Sequence, residues 1–571
     1  MLFAKPDLVL LHPPAVYDFR KRAAVPGPIS DLVPSTPVFE MYPIGFSFLG
    51  EYLERNGVNV RIVNLAQRML EDRRFDASRF LSKLRPAAFG IDFHWLTHAQ
   101  GSLEVARLVK ELHPDTPVIM GGYSATFFHR EILAHPQVDF VLRGDSTEEP
   151  LRQLMEAIME KRPWDAIPNL SYRDSEGVVR VNPLTYLPAG LEYLGSNYRY
   201  MIRSAFKYGD WKSLRAFWNW WDYPVTMVLT CRGCTMDCAF CGGSRSALSS
   251  YCSRRSIAFR PPEKIAHDVE IISSFTSAPI FIVGDLLQGG RDYAMHILDL
   301  ISHLNPRNHI VFELFSPAPR EFFDSVASSL EHFDFQISPE SHDEEIRSTL
   351  NKNYGNEELE ANIAWALDAG CEKFDVFFMI GLPGQTRDSV LKTVEYCGEL
   401  LRKFGPRLNP SIGPLAPYID PGCILHREPE SYGYRIIHKS LEDFVRASLS
   451  PHWRDMLGYE TRWMSRQDIV EVTYEALLAL NAIKFKNGLV SPRHASLNDR
   501  RLRDTLSLLK LVDEVMKIDD ASVREAELAK ISEEAEQLSR SLDLPKEELK
   551  WPITGKRFYL INILRIATGM L

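Results

Sequence analysis

The chain has 571 residues, 45% of them hydrophobic and 25% charged, and a formal net charge of −9. That length exceeds one ordinary domain and predicts about three or four. The acidic balance argues against broad nucleic-acid binding, which needs clustered cations, and no uncharged apolar run reaches the roughly 20 residues of a membrane span.

The opening MLFAKPDLVLLHPP holds a short apolar run with no small-residue cleavage pattern after it, and reads as a buried first strand rather than a signal peptide. From there strand-like and helix-like patterns alternate. DLVLLH (Asp7–His12), NVRIVN (Asn59–Asn64), AAFGIDF (Ala87–Phe93), PVIMGG (Pro117–Gly122) and DFVLRGD (Asp139–Asp145) are strand candidates, with helical spacing over 45–55 and 103–112. Such alternation predicts an α/β fold, a doubly wound, Rossmann-like parallel sheet over residues 1–160 that takes its ligand at the carboxyl ends of its strands. Residues 161–222 read as a connector, with a small hairpin around Glu176-Gly177 and an aromatic stretch, Phe217–Pro224, that either plugs an interdomain seam or lines a site for a flat ligand.

Over 223–425 the alternation resumes. VTMVLT, PIFIVGD, HIVFELF, FDFQISPE, KFDVFFMIG and SIGPLAP make six strand–helix units, enough for a partial (β/α)6 barrel with its chemistry at the C-terminal strand ends. Residues 426–571 turn helical and charged and are expected to cap the barrel. The last stretch, Phe558–Leu571, is apolar but broken by Arg565. It reads as a terminal element packed on the body, with an interfacial lipid contact as the alternative.

Eight cysteines are too few for a disulfide scaffold, and four of them crowd between Cys231 and Cys241, as in metal binding in a reducing compartment, hence a cytoplasmic setting. Cys234, Cys238 and Cys241 follow the first barrel strand with the spacing C-x3-C-x2-C. Three thiolates on one loop can hold three irons of a [4Fe–4S] cluster and leave the fourth open to chelate S-adenosylmethionine, whose C–S bond one electron then breaks. Phe240 would pack on the cluster or the adenine, and Gly242-Gly243 would let backbone approach the methionine group. Including Cys231 gives C-x2-C-x3-C-x2-C, which in principle closes a four-thiolate cluster or a zinc site; Cys231 is read here as a neighbour outside the ligand set. Cys252, Cys371, Cys397 and Cys423 are scattered and read as buried hydrophobes.

C-x3-C-x2-C with an aromatic before the last cysteine resembles the radical S-adenosylmethionine (radical SAM) superfamily. Downstream segments match it in order, and the resemblance implies roles for their residues. Asp285 stands where the family contacts the methionine amine, often with Glu. QISPESHDEEI places Glu340 and Ser341 near the ribose or carboxylate, and FFMIGLPGQT places Gly381 at the adenine turn. PLAPYIDPGC resembles the sixth-strand Pro-Gly turn. Glu313 is either catalytic or a satisfied buried carboxylate.

The first 150 or so residues resemble the cobalamin-binding domain that precedes the radical domain in one branch of the superfamily, through YPIGFSFLGEYLERNG, GIDFHWLTH, PVIMGGYSA and DFVLRGDSTEEPL. The resemblance implies cobalamin contacts from Pro43, Gly45, His94, Trp95, Thr97, Gly121, Gly122, Tyr123, Ser124, Gly144, Asp145 and Glu148. Many cobalamin proteins ligate cobalt with a histidine in D-x-H-x-x-G; here Ala66 stands at that position, so no imidazole from this loop is expected on the metal. His94 and His98 read as pocket walls. The resemblance as a whole implies an enzyme that uses one S-adenosylmethionine to methylate cobalamin and a second to activate an unreactive carbon. Its expected partners are a small-molecule, lipid or peptide substrate and a reductant such as ferredoxin or flavodoxin. A radical cyclase or rearrangement enzyme, and a non-catalytic corrinoid or cluster sensor, are the alternatives.

Overall fold

The computed structural model describes residues 5–570 except 23, 26, 28–37, 216–219, 222–223, 416, 541–549 and 556. The first sheet holds seven strands: β1 (Leu8–His12), β2 (Val60–Asn64), β3 (Ala88–Asp92), β4 (Val118–Gly121), β5 (Phe140–Leu142), β6 (Leu170–Arg173) and β7 (Val179–Val181). Their order is β2-β1-β3-β4-β5-β6-β7. The first five are parallel, and their strands read as continuous apolar runs because helices such as Gly45–Arg55 and Ala99–Leu112 cover both faces. The hairpin of the expected connector is part of this sheet: β6 pairs antiparallel with β5, and β7 with β6. The order reverses at β1/β3, the crevice where open sheets of this topology take ligands.

The second sheet is built from β8 (Thr226–Leu229), β11 (Ile280–Val283), β12 (Ile310–Leu314), β13 (Phe333–Glu340), β14 (Phe374–Ile380) and β15 (Leu408–Pro414), all parallel, in the order β15-β14-β13-β12-β11-β8. A short antiparallel ribbon of β9 (Cys231–Arg232) and β10 (Ala258–Phe259) follows β8, and a second of β16 (Tyr434–Ile436) and β17 (Tyr459–Thr461) follows β15. Together the strands form an open (β/α)6 barrel, as expected.

One expectation about its surroundings changes, and one alternative is decided. The helices of the C-terminal region do not cap the mouth. Arg466–Lys486 packs on β15 and on the helix Arg387–Phe404, and Pro492–Val515 and Ala521–Arg540 stack outward from it. A six-stranded open sheet leaves its last strand unpaired, and this helix covers it. The β16–β17 ribbon packs at the carboxyl ends of β14 and β15, where Tyr434 Oη donates to Gly381 O at 2.6 Å and Tyr459 Oη to Leu415 O at 3.3 Å. The aromatic stretch is a plug rather than a ligand lining. Trp220 donates its indole N–H to Val225 O at 2.9 Å, and Trp220 and Trp221 pack on Phe558, beside the start of β8 and away from the cysteines. Its residues 217–219 and 222–223 lie outside the described residues. The terminal helix Leu560–Thr568 packs on the helices Asn197–Tyr208 and Pro262–Phe275 through Ile563 and Ile566. Among the described residues, no helix is long and apolar enough to cross a membrane.

Candidate active site

Beyond β8 the chain enters a loop closed on itself. Cys241 N donates to Cys238 O at 3.2 Å, Ser244 N to Cys241 O at 3.1 Å and Arg245 N to Met236 O at 2.9 Å. Three other strand ends clamp it: Thr235 N donates to Gln288 Oε1 at 2.8 Å, Ala239 N to Leu350 O at 3.2 Å, and Leu425 N to Ala239 O at 2.9 Å. The thiols of Cys234, Cys238 and Cys241 are all partly exposed. Burial raises each, Cys234 to about 12, so the free loop holds thiols and a cationic centre is what would make them thiolates. Backbone amides already aim at two sulfurs, Met236 N at Cys234 Sγ and Gly243 N at Cys241 Sγ, both at 3.3 Å.

The sulfurs feel one another's charge, yet they do not all come within 4.8 Å of one another. Sulfurs on one tetrahedral zinc, with bonds of about 2.3 Å, stand about 3.8 Å apart. At least one pair of these sulfurs therefore stands wider than a single zinc would hold it. Cys231 is buried in the β9–β10 ribbon, its sulfur against the Gly284 turn and 3.9 Å from Gly233 O.

Carboxylates surround the loop. Glu340 ends β13 after a register shift, with φ of 69°, and is 1% exposed. Its Oε1 accepts from Lys352 Nζ at 2.6 Å, and its Oε2 has no partner among the described residues. Lys352 also lowers the thiol of Cys238. The helix N-cap here is Asp343, which accepts from Glu345 N and Ile346 N, so Glu340 is left for another use. Ser341 Oγ accepts from Asp343 N at 3.1 Å and shapes that turn. Asp285 is occupied by backbone: Oδ1 accepts from Leu287 N and Oδ2 from Phe315 N, and burial pushes its carboxyl up to about 6. Glu313 Oε2 accepts from Gly284 N at 3.1 Å.

Gly381 has φ of 93°, and a Cβ there would lie 2.7 Å from Tyr459 Oη. Its N–H donates to Gln385 Oε1 at 2.7 Å and its carbonyl accepts from Tyr434 Oη at 2.6 Å, so the turn is held by protein. Phe240 packs on the edge of the barrel core. The Gly242 and Gly243 amides are already engaged, Gly243 with Cys241 Sγ and Gly242 with Asp420 Oδ2 at 2.9 Å. Asp420 was not singled out from the sequence. It is exposed, and its charge acts on the nearby thiol of Cys241. The only signal for it was its place inside PLAPYIDPGC.

At the first sheet's β1/β3 crevice, His12 Nδ1 meets Asp92 Oδ1 at 3.0 Å, and His12 and His98 both bond Phe39 O through Nε2. His94 packs between Trp95 and Tyr123. Burial lowers His94 to about 4 and His98 to about 3, so both imidazoles are neutral. Buried His98 Nδ1 and Thr97 Oγ1 have no partner among the described residues, and nothing lies within 4 Å of a Cβ on Gly45, beside Pro43 at the start of its helix. Ala66 is fully buried in the helix Leu65–Glu71, capped by Asn64. Gly121 makes only ordinary contact, Ser124 Oγ donates to His94 O at 2.9 Å, and Gly144 N donates to Thr126 Oγ1 at 3.0 Å. Gly122, with φ of 120°, lies where a Cβ would strike Phe93 O and His94 Cα at 2.7 Å; its own strand neighbour requires the glycine.

Asp145 and Glu148 carry a second set of contacts that the sequence does not show. Both side chains are buried and both face arginines that flank the cysteine loop. Glu148 Oε2 accepts from Arg232 Nη1 at 2.9 Å, and Asp145 Oδ1 accepts from Arg254 Nη2 at 3.0 Å. Tyr123 meets Tyr251 edge-on in the same seam. The carboxyl ends of the two sheets therefore face each other across these pairs.

Two family models match the chain, one described as the B12 binding domain over residues 32–153 and one as the Radical SAM superfamily over 228–397. Among curated relatives, the hopanoid C-3 methylase of Methylococcus capsulatus is 26% identical over 284 residues, 49% of this chain and 49% of that protein. The 2-(S-pantetheinyl)-carbapenam-3-carboxylate methyltransferase of Streptantibioticus cattleyicolor is 30% identical over 177 residues, 29% of this chain and 24% of that one. The chain thus spans about half or less of the length of these relatives. Among solved structures, the radical S-adenosylmethionine methyltransferase TsrM of Kitasatospora setae, with tryptophan and a SAM analogue bound, superposes with a TM-score of 0.57 at 16% identity, over 86% of this chain and 90% of that chain. The cobalamin-dependent enzyme OxsB, with aqua-cobalamin and S-adenosylmethionine bound, gives 0.54 at 11% identity, over 99% and 84%. At such identities the likeness is one of fold.

Proposed function

We propose that this chain, which belongs to the radical S-adenosylmethionine family and carries a B12 binding domain ahead of its radical domain, is a methyltransferase that moves a methyl group from S-adenosylmethionine to an unreactive carbon. The seam carries the reading: Arg232 and Arg254, on either side of the cysteine loop, are ion-paired to Glu148 and Asp145 at the strand ends of the first sheet. Two ligand-bearing faces locked mouth to mouth are what a transfer between two cofactors requires.

Cys234, Cys238 and Cys241 would hold three irons of a [4Fe–4S] cluster, with the fourth left to S-adenosylmethionine. His94, Trp95, Thr97 and the open surface at Gly45 would line the corrinoid. When bound, the cluster supplies one-electron cleavage of S-adenosylmethionine and cobalamin supplies methyl carriage.

The chain's own residues bind and orient. The amides of Met236 and Gly243 stabilise charge on two sulfurs. The unpartnered Oε2 of Glu340 is placed to accept a hydrogen from a hydroxyl or ammonium group of S-adenosylmethionine, and Lys352 favours its ionised form against burial. Asp420 holds the Gly242 amide beside Cys241. Tyr123, Tyr251 and Phe127 meet edge-on in the seam and place an aromatic wall between the two sheets' strand ends. Ala66 offers cobalt no imidazole from its loop. The substrate is a small organic molecule, a lipid or a peptide, and an external one-electron donor of the ferredoxin or flavodoxin type completes the turnover. Both curated relatives above are methyl-transferring proteins by name, which supports methyl transfer, while their substrates differ.

Anaerobically reconstituted protein should contain about four irons and four sulfides with one corrinoid per chain. With S-adenosylmethionine and dithionite it should release both 5′-deoxyadenosine and S-adenosylhomocysteine. Zinc without inorganic sulfide would overturn the cluster, and 5′-deoxyadenosine without S-adenosylhomocysteine would move the reading to ring formation or rearrangement.

A further inference from the structure

The opposite face of the barrel gathers a second donor set. His309, His332 and Glu372 stand in the loops that lead into β12, β13 and β14, at the ends of the strands remote from the cysteines. One ligand atom from each lies within 4.8 Å of the others. The Glu372 carboxylate sits between the imidazoles, Oε1 2.7 Å from His332 Nδ1 and Oε2 3.8 Å from His309 Nε2. The rings stack at 4.9 Å with an interplanar angle of 21°.

His309 is 1% exposed, and its Nδ1 meets Asp334 Oδ2 at 3.1 Å. With its proton on Nδ1, the ring donates to Asp334 and turns the Nε2 lone pair toward Glu372. The 3.8 Å to Glu372 is beyond hydrogen-bond reach, so the lone pair of a buried nitrogen points at the carboxylate without bonding it. Asp334 is fully buried and its Oδ1 has no partner among the described residues. A carboxylate behind an imidazole whose other nitrogen faces further donors is the outer arrangement of histidine metal sites. Donors on one tetrahedral zinc with bonds of about 2.05 Å stand about 3.3 Å apart. The two contacts here bracket that spacing, and a small carboxylate rotation equalises them. His332 and Glu372 are partly open to solvent, with side-chain exposures of 26% and 38%, which leaves room for water as a remaining ligand.

We propose that His309, His332 and Glu372 bind one divalent transition-metal ion, with Asp334 as the outer partner of His309. Two imidazoles and a carboxylate form a nitrogen–oxygen set suited to zinc or iron(II). The eight residues of β13 separate this site from Glu340 by about 25 Å. The ion therefore takes no part in the radical chemistry; it ties the starts of three neighbouring strands.

The test uses reconstituted, cluster-loaded protein and zinc alone as probe, with calorimetric titration, metal analysis after desalting and X-ray absorption at the zinc edge. One zinc per chain should be retained, bound through nitrogen and oxygen. His332→Ala and Glu372→Gln, both at partly exposed positions, should lose it with iron and sulfide contents unchanged. Asp334→Asn should weaken binding by about 10–100-fold. No retained zinc in the parent protein, equal retention in both ligand variants, or a zinc–sulfur signature would each overturn the site.

Discussion

Glu148→Gln tests whether the two domains act as one unit. Glu148 and Arg232 have side-chain exposures of 1% and 10%, and the guanidinium also reaches Ser146 Oγ at 3.1 Å and Tyr193 Oη at 3.2 Å. Removing one partner of a buried pair costs about 3–5 kcal/mol, because the other charge stays buried without compensation. The two residual contacts of Arg232 put this case at the lower end, near 3 kcal/mol. Glu148 also opens the helix Glu148–Glu160, where loss of a negative charge costs about 0.3–1 kcal/mol more. At about 1.4 kcal/mol per tenfold, undocking of the seam should become at least about a hundred times more frequent. Hydrogen exchange read on peptides covering 226–232 and 140–148 should show both protected in the parent and both accelerated together in the variant, ahead of the barrel core. Glu148→Leu combined with Arg232→Met should recover most of the protection, since an apolar replacement of a buried pair is close to neutral. Unchanged exchange in Glu148→Gln, or a double variant as open as the single, would refute the seam as the joint.

The remaining predictions test the site and its surroundings. Cys238→Ala should abolish cleavage of S-adenosylmethionine while Cys231→Ala leaves it largely intact, measured as 5′-deoxyadenosine released under dithionite; loss of the cluster in Cys231→Ala would restore the four-thiolate site. Gly381→Ala places a side chain at a left-handed φ, costing about 1–2 kcal/mol, and against Tyr459, where overpacking costs about 1–3 kcal/mol; denaturant midpoints should fall accordingly, with Tyr459→Phe relieving part of the loss. Burial holds folded His98 near pKa 3, below its ordinary 6.5. The unfolded chain therefore binds the extra proton, and stability should fall as pH drops below 6.5 toward 3, by up to about 1.4 kcal/mol per pH unit. His98→Asn should flatten that slope in denaturant titrations at pH 5 and 7, and an unchanged slope would count against a neutral His98.

Much of this was legible because the carrying signals are local. Three cysteines within eight positions, and strand and helix periodicities of 2 and 3.6, are set by neighbours along the chain. Both parallel sheets followed from alternation alone, whereas the strand order did not. The C-terminal helices had the right spacing, but nothing in a helix's own sequence says whether it will cover a barrel's mouth or its open edge; that depends on β15 having no outer partner. Asp420 is illegible for the same reason, since the amide it holds, Gly242, lies 178 positions earlier.

Asp145 and Glu148 mark the physical limit most clearly. A carboxylate just beyond a strand of an open sheet is where a ligand contact belongs, and the same carboxylate is what a buried guanidinium seeks. The sequence offers the acids without their partners, which lie 84 positions on for Glu148 and 109 for Asp145. The two demands meet on one surface. Because these acids hold the arginines that flank the thiols, the edge of one cofactor face is fixed by the residues that frame the other. A change in the first sheet's strand-end loops should therefore be felt at the cysteine loop without touching a cysteine.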